Sequence, residues 1–441
     1  MKKIEVPGEA IVPALVGQSG RGLCLLDSCG VGRSGSNRLI AGIDPVEVHI
    51  IHKPDPLKSL QVLEKLLALG DRSAIFTISY DLGLKLHGLQ SGRPAPKEPD
   101  FYVALFDSLL IHDYATGSTF TAGSMEQDRR YEKALEETSR DVERSAAARG
   151  REIPRSNFTQ PQYLAAVDRI KELIRAGDTY QVNLTQQLSV PLYGDVLPAD
   201  IFIHLRRSHP APFAAYLDRE SSFVISASPE QFVTIEHAGP ERTISASPIK
   251  GTRPRGTDRA DDEKMRADLL NSEKDRAENT MIVDLMRNDL GRICEFGSVK
   301  VDELCRLDVH PTLFHLVSDV SGKLREDVGY SDVIRAAFPC GSITGAPKIR
   351  TMEIIDRIET VRRGLSMGAI GCRIAPGIFG NDEIFEMSVA IRTMVVRDGE
   401  ARFNVGGGIT IDSDPEAEYN ETMLKAKALL ASLFAHQAIA A

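Results

Sequence analysis

The sequence predicts an α+β fold in which mixed, largely antiparallel sheets pack face to face and helices cover the outside. Three observations lead to this. Strand-like runs arrive as consecutive pairs, such as residues 222–226 followed by 232–235, and do not alternate strictly with helices as a doubly wound sheet requires. Helical periodicity is confined to a few amphipathic segments set between those runs. No repeat at a solenoid period and no low-complexity tract interrupts them.

Taken in order, residues 57–69 repeat apolar side chains at helical spacing, and 74–80 and 102–106 read as strands. The stretch 124–154 is the poorest in core-forming residues. It is polar and helix-prone through Glu143 to Arg149 and is punctuated by Gly150 and Pro154, so it predicts a boundary between an N-terminal domain, 1–150, and a C-terminal domain, 157–437. A helix over 160–176 is capped by Thr159 and closed by Gly177, and a strand follows over 180–188. Further strands are predicted at 299–304, 383–397 and 401–405. Further helices are predicted at 259–290, 331–337, 346–358 and 415–436.

Composition narrows the function. With 441 residues, 42% hydrophobic and 26% charged, the chain is globular and long enough to bury a large core without a metal or disulfide staple. The balance of 53 basic against 62 acidic residues gives net charge −9 with no Lys/Arg block, which argues against a nucleic-acid partner. No apolar run approaches the roughly 18 to 20 residues of a membrane span. Lys2 and Lys3 have no apolar core behind them, so the expected location is cytoplasmic. The cysteines, Cys24, Cys29, Cys294, Cys305, Cys340 and Cys372, are scattered without CxxC spacing and read as reduced thiols.

Two acidic pairs fall on predicted helices at i,i+3 spacing, Asp275 with Glu278 and Glu418 with Glu421, so each pair shares a helix face. Such pairs can converge on one divalent cation, and Mg²⁺ suits a few carboxylates completed by water and substrate oxygens. Lys425 lies one turn beyond Glu421 and can answer a carboxylate or line a pocket. Gly-bearing turns occur at 248–256, 341–348 and 405–410. The three glycines Gly406, Gly407 and Gly408, read as following a strand, would let backbone N–H groups approach an anion. The spacings match neither a P-loop nor a dinucleotide-binding turn.

The segments Ser228-Pro229-Glu230-Gln231-Phe232, Pro248-Ile249-Lys250-Gly251-Thr252, Asp275-Arg276-Ala277-Glu278-Asn279, Gly341-Ser342-Ile343-Thr344-Gly345-Ala346-Pro347-Lys348 and Gly406-Gly407-Gly408-Ile409 with Glu418-Tyr419-Asn420-Glu421 resemble, in this order, the signatures of the chorismate-utilising enzymes. That family includes anthranilate synthase component I, aminodeoxychorismate synthase component I, isochorismate synthase and salicylate synthase. The resemblance spans about 160–436 and implies the family's chorismate-binding fold.

The resemblance implies chorismate as substrate and Mg²⁺ as cofactor, held by Glu278 and Glu421 with Asp275 and Glu418 behind them. It implies Arg392 and the amides of Gly406 to Gly408 as the seat of the enolpyruvyl carboxylate, with His315, Thr344 and Lys425 around the substrate. Two positions speak to the reaction. Members that add water carry a lysine base where this chain has Gln181, and an amide cannot deprotonate water, which favours members that use ammonia. Lys250 stands where anthranilate synthases carry alanine, while Pro-Ile-Lys-Gly-Thr is typical of aminodeoxychorismate synthases.

The activity implied is therefore amination of chorismate at C4, with Lys250 as nucleophile at C2 and Glu230 as general acid. It belongs to the para-aminobenzoate branch of folate synthesis. The alternatives are an anthranilate synthase component I and a non-catalytic amino-acid-binding subunit.

In the N-terminal part, Leu25-Leu26-Asp27-Ser28 and Ile78-Ser79-Tyr80-Asp81-Leu82-Gly83 resemble segments of the amidotransferase-dependent members. With His209-Pro210-Ala211-Pro212-Phe213, the first implies a possible tryptophan pocket involving Leu26, Ser28, Pro210 and Phe213. No stretch resembles a glutaminase, so ammonia is expected from solution or from a glutamine amidotransferase subunit. The chain departs from the family pattern at Ser366 and Cys372, where aromatic residues are usual.

Overall fold

Strands such as Ser73–Ile78 and Phe101–Phe106 are buried at every position, because both of their faces are covered. In the computed structural model, which describes residues 2–17, 20, 22–32, 37–123, 125–137, 154–192, 196–239, 241–310, 313–378 and 383–434, alternate residues of these strands enter different cores. Phe101, Val103 and Leu105 join a cluster with the Pro56–Leu67, Glu273–Gly291 and Tyr330–Ala337 helices. Tyr102, Ala104 and Phe106 join a second cluster with Cys24, Ile40, Ala215 and Leu217 of the opposite sheet. A third core sits under the Gly8–Val16, Pro198–Ser208 and Pro415–Phe434 helices on the far face of that sheet. The layers therefore run helix, sheet, sheet, helix, with the two sheets face to face as expected. All the strand pairs described within them are antiparallel.

One sheet has twelve strands and the other ten among the described residues. Each is assembled from both ends of the chain. In the first, Cys24–Asp27 pairs with Phe213–Asp218. In the second, Ser73–Ile78 pairs with Ala369–Ile374. The expected division into 1–150 and 157–437 thus does not separate two cores, because early strands complete sheets begun by late ones. Glu143 to Arg149, Gly150 and the predicted helix end at His436 lie outside the described residues.

Three expected elements divide, each for a local reason. The helix over 259–290 is two, Arg259–Leu270 and Glu273–Gly291, because the Ser272 side chain caps the second by accepting from Asp275 N. The 346–358 helix starts at Lys348 behind Pro347, and Ala346 belongs instead to a short strand with Gly345. The strand over 383–397 is Ile384–Val389 in the second sheet and Thr393–Arg397 in the first. The chain crosses between them at Arg392, whose φ of 48° ends the ladder.

A second crossing lies against the first. The Phe223–Ser228 strand of the first sheet leads through Pro229 and Glu230 to Gln231–Ala238 of the second. Ser228 Oγ donates to Val389 O at 2.6 Å, and Val389 N donates to Glu230 O at 3.0 Å. Glu230 and Arg392 are thereby carried to the same end of the intersheet seam.

Candidate active site

Lys250 owes its place to an irregularity. In the Ile249–Pro254 edge strand, Ile249 is in register with Val317 and Thr252 with His315, so three steps on one strand oppose two on the other. A bulge of this kind re-aims its side chains. Gly251 sits at φ 87°, and a Cβ there would come within 3.0 Å of Asp275, which explains glycine beside the lysine. Lys250 Nζ donates to Ser342 O at 3.1 Å. Its charge also reaches Glu230 on one side and Glu278 and Glu421 on the other.

Glu230 is 3% exposed, and burial pushes its carboxyl above the ordinary carboxylate range. The hydroxyl of Ser342, the Lys250 ammonium and Ile249 N, which donates to Oε1 at 3.4 Å, pull the other way. A buried carboxyl raised in this way beside a lysine side chain pairs a potential proton donor with a potential nucleophile.

The glycines lie inside the Glu400–Ile409 strand, not after it as expected. Asn183 N turns to Thr344 O and Thr185 N to Glu359, away from this strand. In the antiparallel register that pairs Asn183 with Gly408 and Thr185 with Gly406, those two glycines must turn their N–H groups outward as well. The neighbouring Thr393–Arg397 strand pairs only as far as Met394 with Phe403. Beyond it the outward amides of Gly406 and Gly408 face the flank that the crossing at Arg392 has opened. The missing side chains make room: a Cβ on Gly408 would lie 2.0 Å from Gln181 Nε2, and one on Gly407 would lie 3.0 Å from a Glu418 oxygen.

We expect Gly408→Ala to leave stability within about 1 kcal/mol, because the Gln181 side chain can swing aside. That movement would break the 3.2 Å bond from Gln181 Nε2 to Glu278 and lower turnover by at least ~10-fold. Denaturant unfolding and steady-state rates on the same preparation check it.

The acidic pairs converge only in part. Glu278, Glu418 and Glu421, from two helices, surround the Lys274 ammonium, which lies 3.2 Å from Glu418 and 4.0 Å from Glu278. Ser413 Oγ donates to Glu418 at 2.6 Å, and Lys425 pairs with Glu421 at 2.7 Å while donating to Gly406 O at 3.1 Å. Burial raises Glu278, whereas Lys425 lowers Glu421. Asp275 does not join them: it accepts from Arg253 at 2.9 Å. Among the described residues no set of three metal-ligating side chains is gathered ready-made. The donors nonetheless suit a hard cation that takes two carboxylates and completes its shell with water. Gln181 Oε1, buried without a partner beside Glu278, is a further oxygen on hand.

Arg392 is largely buried, which pushes its guanidinium down, and it has no carboxylate partner among the described residues. An unpaired fork of this kind at the open flank is fitted to a carboxylate brought by a ligand. His315, beside Thr252 Oγ1 at 2.9 Å, is pushed down to about 3 by burial and by Arg392, so it is neutral near pH 7. Thr344 differs from expectation: its hydroxyl donates to Cys340 O at 3.0 Å and holds the loop together. Ser366 fills its aromatic-type position by accepting from Asn404 N at 3.0 Å.

Leu26, Ser28 and Phe213 line one small cavity, of about 40 Å³, with Arg38, Glu386 and Cys372; Pro212 lines it in place of Pro210. That volume has room for water but not for an indole ring without side-chain movement. The cysteines are free as expected, and burial raises Cys340 to about 12, far from a reactive thiolate. No helix among the described residues is long and apolar enough to cross a membrane.

Sequence reasoning did not single out Lys274, Ser342 or the Glu359–Arg363 pair. Ser342 lay inside a quoted motif, and only its contacts mark it.

Residues 26–431 match the family model described as chorismate binding enzyme. The chain is 35% identical over 414 residues to anthranilate synthase component 1 of Aquifex aeolicus, covering 88% of this chain and 81% of that one. It is 38% identical over 389 residues to aminodeoxychorismate synthase component 1 of Escherichia coli, covering 85% and 82%. The crystal structure of anthranilate synthase component I from Streptococcus pneumoniae superposes with a TM-score of 0.76 at 24% identity, covering 98% of this chain and 100% of that one.

Proposed function

The chain belongs to the chorismate-binding enzyme family, and from that premise we propose that it is component I of an aminodeoxychorismate synthase, converting chorismate and ammonia to 4-amino-4-deoxychorismate and water. Relatives of similar identity carry both this name and that of anthranilate synthase. The choice therefore rests on one observation: a bulge presents Lys250 between the buried acid Glu230 and the carboxylates Glu278 and Glu421.

The amine of Lys250 attacks C2, both double bonds of the ring diene shift (C1=C2 to C1=C6 and C5=C6 to C4=C5), and the C4–O bond breaks as Glu230 gives its proton to the leaving hydroxyl, releasing water. Ammonia then attacks C4, both double bonds shift back, and the C2–N bond breaks to free Lys250. The proton that ammonia sheds returns to Glu230. Gln181, an amide, cannot activate water at C2. Arg392 and the outward amides of Gly406 and Gly408 take the enolpyruvyl carboxylate. Glu278 and Glu421 would hold Mg²⁺, with Glu418 behind them, and the bound ion would neutralise the ring carboxylate. A glutamine amidotransferase subunit is the proposed ammonia source. Glutamine-dependent activity should appear only when that subunit is added.

The deciding experiment is product analysis with chorismate, Mg²⁺ and ammonium salt. Formation of 4-amino-4-deoxychorismate without pyruvate release is expected. Fluorescent anthranilate with pyruvate would assign the chain to the anthranilate reaction. Unchanged chorismate together with tryptophan binding would make it a non-catalytic subunit.

The pH dependence follows from Glu230. Its raised pKa keeps the acid form present to higher pH than an ordinary carboxyl, and activity falls as pH rises through that value. Free ammonia increases over the same range, so ammonium-driven rates should trace a bell. Glu230→Gln should remove the alkaline limb and cost ~10²–10⁴-fold in kcat. An unchanged alkaline limb in this variant would rule out Glu230 as the acid.

A further inference from the structure

The Gln181–Pro191 strand has an incomplete outer edge. The Gly345–Ala346 strand covers only Gln181 and Val182, and Arg155–Ser156 covers only Leu188 and Ser189. Between them, two backbone groups of the strand, Asn183 O and Thr185 N, find partners in one side-chain pair. Arg363 Nη2 donates to Asn183 O at 2.7 Å, while Glu359 Oε1 accepts from Thr185 N at 2.8 Å and Thr185 Oγ1 at 2.9 Å. Arg363 also grips Glu359 through Nε at 2.9 Å and Nη2 at 2.7 Å. The side chains are 1% and 3% exposed, and the guanidinium lies 4.6 Å over the Tyr80 ring.

A buried charge is tolerated only when its hydrogen-bonding groups are answered. The remaining guanidinium arm, Nη1, donates to Ile343 O at 2.8 Å. That carbonyl is one peptide unit from Ser342 O, the acceptor of Lys250 Nζ. The Ser342 hydroxyl meets Glu230 and lies 3.3 Å from Cys340 Sγ. The turn is held from within by Thr344 Oγ1 on Cys340 O. One residue outside the reacting groups thus ties the turn that touches both of them to the strand that carries Gln181.

We infer that Arg363 is a positioning residue for the reaction, fixing the Ser342–Ile343 turn on which Lys250 and Glu230 converge. The inference rests on the proposed roles of those two residues. A lysine at this position keeps the charge but has no planar fork to span Glu359, Asn183 O and Ile343 O together. The nucleophile and the acid then lose their common anchor, while Arg392, the charged half of the carboxylate seat, takes no part in these contacts.

The test uses the full chain with ammonium salt. Arg363→Lys should lower kcat by about 100-fold and leave KM for chorismate within about threefold, because alignment and not ground-state binding is lost. Arg363→Ala should recover part of its kcat when millimolar guanidinium is added, at a concentration that leaves the wild type unaffected. An unchanged kcat in Arg363→Lys would overturn the inference. So would a loss in both variants that follows loss of folded protein by thermal melting and is not relieved by guanidinium. Lys250→Ala, run in parallel, separates the two levels: if it retains 4-amination, the proposed chemistry fails, whatever Arg363 does.

Discussion

Lys250→Ala is expected to lose 4-amination of chorismate by at least ~10³-fold, since removing a covalent nucleophile removes the path and not merely a contact. The fold should persist. Lys250 is an edge-strand residue on a bulge, and its one described hydrogen bond is to Ser342 O. With the transient occupant of C2 gone, residual chemistry should move toward direct addition of ammonia at C2. Separating the products formed with ammonium salt reads both effects. Trapping is a sharper check. A chorismate analogue with a good leaving group at C4 should label the wild type at Lys250 and leave Lys250→Ala unlabelled, and equal labelling of both would remove the covalent role.

The second large effect is expected at the carboxylates. Glu278→Gln and Glu421→Gln should each abolish turnover at millimolar Mg²⁺, because Mg²⁺ keeps most of its water and depends on the one or two carboxylates that replace it. Direct titration with Mn²⁺ as a spectroscopic substitute should show binding weakened at least ~10-fold in either variant. Neither change should unfold the protein. The Glu421 side chain is 52% exposed, and Glu278 keeps an amide partner in Gln181 after substitution. Wild-type turnover by either variant at micromolar Mg²⁺ would defeat the assignment. Asp275→Asn, in contrast, should act through the bulged strand carrying Lys250, because its partner is Arg253 and it packs against Gly251.

The elements legible in the sequence are those whose pattern is local. The helix behind Thr159 appears as Gln160–Arg175, with a capping box closed by Gln162 and with Tyr163, Ala166, Val167 and Ile170 buried at helical spacing. Ser73–Ile78 and Phe101–Phe106 were legible because a strand buried on both faces is apolar along most of its length. What failed had no local mark. Nothing in the run 383–397 shows that its halves belong to different sheets, because the crossing at Arg392 is stabilised by contacts from Ala227 N and Gly368 O, distant in sequence. The helix break at Ser272 does have a local mark, a serine three residues before the Asp275 amide it caps, but the run 259–290 is helical in composition on both sides of it.

The same division holds at the candidate site. The sequence by itself determined which side chains are present and in what order: an acid at 230, an amine at 250, i,i+3 carboxylates on two helices and a run of three glycines. Helical spacing and residue type are properties of neighbours along the chain, so they survive without tertiary context. Only the tertiary structure decided that Glu418 joins Glu278 while Asp275 turns to Arg253, and that the glycines lie within a strand with their outward amides free. It also decided that Ser342 and the Glu359–Arg363 pair stand between the reacting groups and the first sheet. Each of these depends on which residue, far away in sequence, answers a buried charge or an open strand edge. That is decided by packing and by the cost of leaving such a group unpaired.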